Sequence, residues 1–259
     1  RYLKMQGICM HHDMGSIGAA MNISALSRQL DIMQEMGVNA VRTSHNPPAP
    51  ELLELCDKRG LLVIDEFFDE WRDPKVKNGY AANFDKYAIK DLEGVIRRDR
   101  NHPSVIMWSI GNEDPLFMED RGRRIAASMR AVIKKLDPTR PITAAVDREP
   151  EKATVFDSCD IIGVNYNFRS YEPLRERYPN KPIIASEHSA TGTTRGWYAP
   201  NVPALGRISA YDHDTDDYFR SREFYWQLIY DRPWIMGGMQ WTAFDFRGST
   251  GWPRLCSAA

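Results

Sequence analysis

The chain has 259 residues, 42% of them hydrophobic and 27% charged, with a formal net charge of −1. That is enough apolar material for one large core. The interspersed acids and bases exclude a basic nucleic-acid face, and no apolar run approaches the roughly 18 residues of a membrane span.

Short apolar runs alternate with amphipathic stretches along the whole sequence, the pattern of repeated βα units and a parallel sheet. Strands are predicted at about 5–10, 38–42, 61–65, 104–109, 141–145, 161–165, 182–186 and 235–241, and helices at about 24–36, 49–59, 84–99, 119–136, 171–178 and 216–230. The first helix is the best signalled. Ser24 can cap it, Leu26, Leu30, Met33 and Met36 keep helical spacing, and Gly37 stops it. Between the fifth and sixth strands, 146–160 has room for only one or two turns. The polar, Gly- and Pro-rich stretch 189–217 has the length of a substrate-facing loop.

Eight parallel strands with helices between them close into an α/β (β/α)8 TIM barrel. No GxGxxG or P-loop follows any strand, which disfavours an open nucleotide-binding sheet. After the eighth strand the remaining residues have no helical pattern, so the last barrel helix is expected to be lacking. The sequence opens on Arg1 and runs straight into an apolar stretch. It is read as one barrel domain, 1–259, cut from a longer multidomain chain. The four cysteines (Cys9, Cys56, Cys159, Cys256) form no CxxC pair and point to neither a zinc knuckle nor a disulfide framework.

Two strand ends carry the chemistry. NHPSVIMWSIGNE (101–113) turns at His102-Pro103, runs through an apolar strand and delivers Asn112 and Glu113 at its tip. A carboxyl emerging from an apolar wall beside an aromatic is disfavoured from ionising and can hold its proton near neutral pH. KPIIASEHSA (181–190) ends another apolar strand in Glu187. As the fourth and seventh strands, their tips face each other across a barrel mouth. Two carboxyls roughly 5 Å apart suit a double-displacement glycosidase, and roughly 6.5–9.5 Å an inverting one. The bland alternative is a pair of solvated strand-end glutamates.

His11-His12-Asp13 with His45 could suggest a metallohydrolase. Adjacent strand residues point to opposite faces, however, so only one of the two histidines can enter the mouth.

The motifs GICMHHDMG (7–15), NAVRTSHNPPAPELLELCDKRGLLVIDE (39–66), RDRNHPSVIMWSIGNE (98–113), ASEHS (185–189) and GGMQWTAFDFRG (237–248) resemble, in order and spacing, the catalytic barrel of glycoside hydrolase family 2. That family holds β-galactosidases, β-glucuronidases and β-mannosidases. The resemblance implies a retaining exo-β-glycosidase acting on an oligosaccharide or glycoside, with Glu113 as acid/base and Glu187 as nucleophile. It places Arg42 and Tyr166 on the nucleophile and Asn112 on the sugar 2-hydroxyl, with His11, His45 and Trp241 lining the pocket. Asp13, Asp65, Glu66 and Asp245 lie near strand ends, and Asp65 and Glu66 are read as holding loops. Some family β-galactosidases bind magnesium through a Glu and a His two residues apart. Here those positions are Glu70 and Arg72, so no cofactor is expected. The GICMHHDMG and TSHNPPAP variants favour a β-galactosidase; the alternatives are a β-glucuronidase or β-mannosidase, or an inactive carbohydrate-binding barrel. Family members carry β-sandwich domains before the barrel, through which any homo-oligomer would form.

Overall fold

The computed structural model describes residues 3–15, 17–190, 196–199, 220–244 and 246. Its eight strands are β1 (Met5–His11), β2 (Ala40–Ser44), β3 (Leu62–Glu66), β4 (Val105–Asn112), β5 (Ile142–Val146), β6 (Ile162–Asn165), β7 (Ile183–His188) and β8 (Ile235–Gln240). They pair in parallel in chain order and close when β1 meets β8. This is the expected (β/α)8 barrel. Between the strands run α1 (Ile23–Glu35), α2 (Pro50–Arg59), α3 (Ala81–Asp99), α4 (Asp120–Leu136), α5 (Tyr171–Arg177) and α6 (Arg222–Tyr230). Only short 3₁₀ turns, Pro150–Lys152 and Val155–Ser158, join β5 to β6.

Strand alternation builds two apolar layers. Inward side chains, Met5, Cys9, Ala40, Ile64, Met107, Ile184 and Met239, fill the barrel. Outward ones, such as Ile8, Val41, Val63, Val105 and Ile183, pack against the helices. Gly7 leaves room for Met239, whose sulfur would lie 1.9 Å from any Cβ built there. In the outer layer α3 buries Phe84, Ala88, Leu92 and Ile96, one residue per turn.

Some helix ends differ from expectation, each for a local reason. Asn22, not Ser24, caps α1, its side chain accepting from the Ala25 N–H at 3.0 Å. Gly37 ends that helix as expected, in the left-handed region at φ +85°. Helix α3 starts three residues early because Glu70, eleven positions back, accepts from the Ala81 N–H at 2.7 Å. Ser221 caps α6; the earlier part of that expected helix, 216–219, lies outside the described residues. So do most of the expected substrate-facing loop, Asp245, and the tail where the last helix was expected to be lacking.

Candidate active site

The C-terminal strand tips converge on one buried polar cluster. Arg42, on β2 and 1% exposed, is its hub. Its Nη1 donates to Glu187 Oε1 at 2.7 Å and to the Ser186 carbonyl at 3.0 Å. Its Nη2 donates to Glu66 Oε2 at 2.7 Å and to Asn112 Oδ1 at 2.8 Å. A planar guanidinium with five donors can serve three strands at once. Tyr166 completes the environment of Glu187, donating its hydroxyl to Oε2 at 2.6 Å. Burial, then the Glu187 charge, holds that phenol well above its usual range, so it stays a donor.

Glu113 stands in different surroundings. Its Oε1 accepts from Asn165 Nδ2 at 2.8 Å, and the same nitrogen reaches Asn112 Oδ1 at 3.0 Å. Burial, then the charges of Glu187 and Asp147, pushes the Glu113 carboxyl up to about 8. A continuous chain therefore joins the two candidate carboxyls: Glu113, Asn165, Asn112, Arg42, Glu187. One is held with a proton near neutral pH; the other faces a cation and a phenol. Glu113 and Tyr166 both have left-handed backbone, at φ 44° and 58°. Each costs of order 1–3 kcal/mol, a kind of strain that clusters at functional sites.

An aromatic wall faces the cluster. Trp241 follows β8 and stacks on His45, with centroids 5.2 Å apart and planes within 4°. His11 meets Trp241 edge-on at 4.9 Å and stacks on Phe246 at 3.7 Å. Burial, then the charges of His45 and Arg42, lowers His11 to about 4, so it is neutral. His12 turns out of the mouth to the Ala19 carbonyl, as alternation requires. The structure thus brings together Glu113, Glu187, Arg42, Asn112, Tyr166, His11, His45 and Trp241.

Glu66 was misjudged from sequence. Far from merely holding a loop, it is fully buried between Arg42, His45 Nδ1 (2.7 Å) and Ser109 Oγ (2.6 Å). Burial alone would raise its carboxyl, but the Arg42 charge and these hydrogen bonds outweigh it and hold it at about 2. Asn165 and Lys75 also escaped notice. Asn165 stands beside Tyr166 at a strand tip, a readable signal. Lys75 arrives from a loop and gave none. Its Nζ donates to Asp69 O and Oδ1, both at 2.8 Å, and to the Asn112 carbonyl at 3.0 Å.

The residues do not suit the family's magnesium. Both Glu70 oxygens are taken by backbone N–H groups of Lys75, Val76 and Ala81, and Arg72 pairs with Asp85. A lysine ammonium already sits among the nearby oxygens. Among the described residues no cluster of three His, Cys, Asp or Glu could hold a metal ion.

The family model described as glycosyl hydrolases family 2, TIM barrel domain, matches residues 1–241. The chain belongs to glycosyl hydrolase family 2. It is 36% identical to the β-galactosidase BoGH2A of Bacteroides ovatus, over 99% of this chain and 36% of that protein. A β-glucuronidase of Sus scrofa is 33% identical, over 71% of this chain and 30% of its own length. A β-glycosidase from Bacteroides vulgatus superposes with a TM-score of 0.82 at 33% identity, covering 100% of this chain and 36% of that structure. The family 2 barrel described here thus spans about a third of the length of these relatives. None of its described helices is long and apolar enough to cross a membrane.

Proposed function

We propose that this barrel is the catalytic domain of a retaining exo-β-glycosidase acting on terminal β-galactosides. One observation carries the reading: two buried carboxyls share a polar chain but have opposite electrostatic settings, Glu113 pushed up to about 8 and Glu187 bonded to Arg42 and Tyr166. In the first step the Glu187 carboxylate attacks the anomeric carbon. The glycosidic C–O bond breaks as Glu113 gives its proton to the leaving oxygen. In the second step Glu113, now a carboxylate, takes a proton from water. That water displaces Glu187 from the anomeric carbon, and two inversions leave the configuration retained. Asn112, fixed by Arg42 and Asn165, meets the sugar 2-hydroxyl, and Trp241 with His11 forms the wall behind the ring.

The preference for galactose rests on the sequence variants around His11 and His45 and on the likeness to BoGH2A; family alone does not set the sugar. The β-glucuronidase relative keeps a glucuronide as the second reading. An inert carbohydrate-binding barrel would have no use for two buried carboxyls joined by one polar chain and set in such different surroundings.

Glu187→Ala tests the mechanism. It should abolish hydrolysis of nitrophenyl β-galactoside. Added azide should restore turnover and give a glycosyl azide of inverted configuration. Wild-type rates in Glu187→Ala and Glu113→Ala alike would overturn the proposal.

A further inference from the structure

Beside the catalytic cluster the barrel mouth opens into a cavity of about 720 Å³, walled by the loops after β2 and β3 and by the flank of α3. That lies within the roughly 300–1,000 Å³ typical of small-ligand sites. Two of its lining residues also belong to the catalytic cluster. His45 Nε2 lies 3.5 Å from Glu187 Oε1, and Asp69 Oδ1 lies 3.5 Å from Asn112 Nδ2. The cavity is therefore a side chamber of the reaction centre.

Its direction identifies what it can hold. Glu113 faces Asn165 on β6 and the Asp147 charge just past β5. A leaving group protonated by Glu113 departs over that side of the barrel. The chamber lies on the other side, over β2 and β3, beyond Asn112 and His45. With Asn112 on the 2-hydroxyl, the ring edge that looks into the chamber is the one carrying O2 and O3.

We infer that the chamber between the β2 and β3 loops and α3 binds a further neutral sugar unit attached at O2 or O3 of the glycone. The inference rests on the glycosidase reading above. It goes beyond the exo action proposed above: a glycone substituted at O2 or O3 leaves as a disaccharide, not as a single terminal sugar.

The lining suits that occupant. Phe67 and Phe68 form an apolar floor, and Tyr80 and the 59%-exposed Val76 offer faces for the apolar side of a sugar ring. Asp69, Asp91 and Lys90 supply hydroxyl partners at the rim. Arg98 is turned to Asp99 and to the Pro48 carbonyl, and Asp69 is paired with Lys75 at 2.8 Å, so acids and bases around the chamber roughly balance, which suits a neutral sugar.

The test uses the full chain and three substrates: 4-nitrophenyl β-galactoside and the same glycoside carrying a β-glucosyl unit at O2 or at O3. At least one substituted glycoside should release nitrophenol together with the intact disaccharide. Tyr80→Ala should lower its kcat/KM about tenfold, the scale of one lost aromatic contact. The parent glycoside should stay within about twofold. Val76→Asp, a surface change that folding tolerates, should repeat the selective loss if Tyr80→Ala misfolds. Hydrolysis of the parent with no release from either substituted glycoside would overturn the inference. So would equal losses on all three, which would assign the chamber to packing or to the leaving group. If no substrate turned over, the glycosidase reading itself would fall, and the inference with it.

Discussion

Tyr166 is tied to Glu187 twice: its hydroxyl lies 2.6 Å from Oε2, and its backbone N–H donates to the Glu187 carbonyl at 2.8 Å. The second link fixes the backbone that aims the first. The backbone is anchored again through the residue's own carbonyl, which accepts from the Tyr225 hydroxyl on α6 at 2.8 Å. Tyr166→Phe keeps those backbone links and removes only the donor to the carboxylate. A hydrogen bond to a charged group is worth about 1.5–3 kcal/mol, so kcat/KM should fall by roughly ten- to a hundredfold. The thermal midpoint should barely move. Rate measurements on nitrophenyl β-galactoside paired with thermal melts check this, and an unchanged rate would remove Tyr166 from the mechanism.

The pH dependence follows from Glu113. Its carboxyl is raised to about 8, first by burial and then by Glu187 and Asp147. As the proposed proton donor it works below that value, so kcat/KM should fall as pH rises through about 8. An ordinary exposed glutamate would give a limb near 4.5. Glu113→Ala should remove the limb. It should slow alkyl glycosides far more than nitrophenyl glycosides, whose leaving group needs little protonation. Rate profiles between pH 5 and 10 on both substrate types decide the matter.

The barrel was legible because strand and helix periods repeat eight times in order, and each buried run stops at a polar tip. The paired glutamates were legible for the same reason. Glu66 was not: alternation along β3 puts it on the inward face with Ile64, but an acid beside another acid reads as a solvated loop end. Only the fold brings Arg42, His45 and Ser109 around it. The start of α3 was hidden similarly, because its cap is the distant Glu70. Lys75 was the least readable, a loop lysine whose three oxygen partners come from two different strand ends.

Lys75 should act on the reaction through Glu113. Its ammonium holds the Asn112 carbonyl, one residue from Glu113, and its charge opposes the upward push of burial, Glu187 and Asp147. Tyr166 faces the same carboxyl as an uncharged phenol. Lys75→Met removes a cation, so Glu113 should rise further and the alkaline limb should move to higher pH. Magnesium or a chelator should change neither enzyme. A limb that stays in place would confine Lys75 to holding the loop.

Asp65 offers a stability test away from the mouth. It points outward from β3 into the helical layer, fully buried. Burial, then the charge of Asp99, raises its carboxyl well above the usual range. Folded, Asp65 keeps its proton; unfolded, it releases it near the ordinary aspartate value. Above that value the unfolded chain binds fewer protons, so this residue's contribution to stability is full in acid and declines as pH rises towards the folded value. Asp65→Asn mimics the protonated form without titrating. The variant should match wild type at pH 4 and melt higher than wild type at pH 8. Thermal midpoints at the two pH values are the measurement, and an equal difference at both would show that Asp65 carries its charge in the fold.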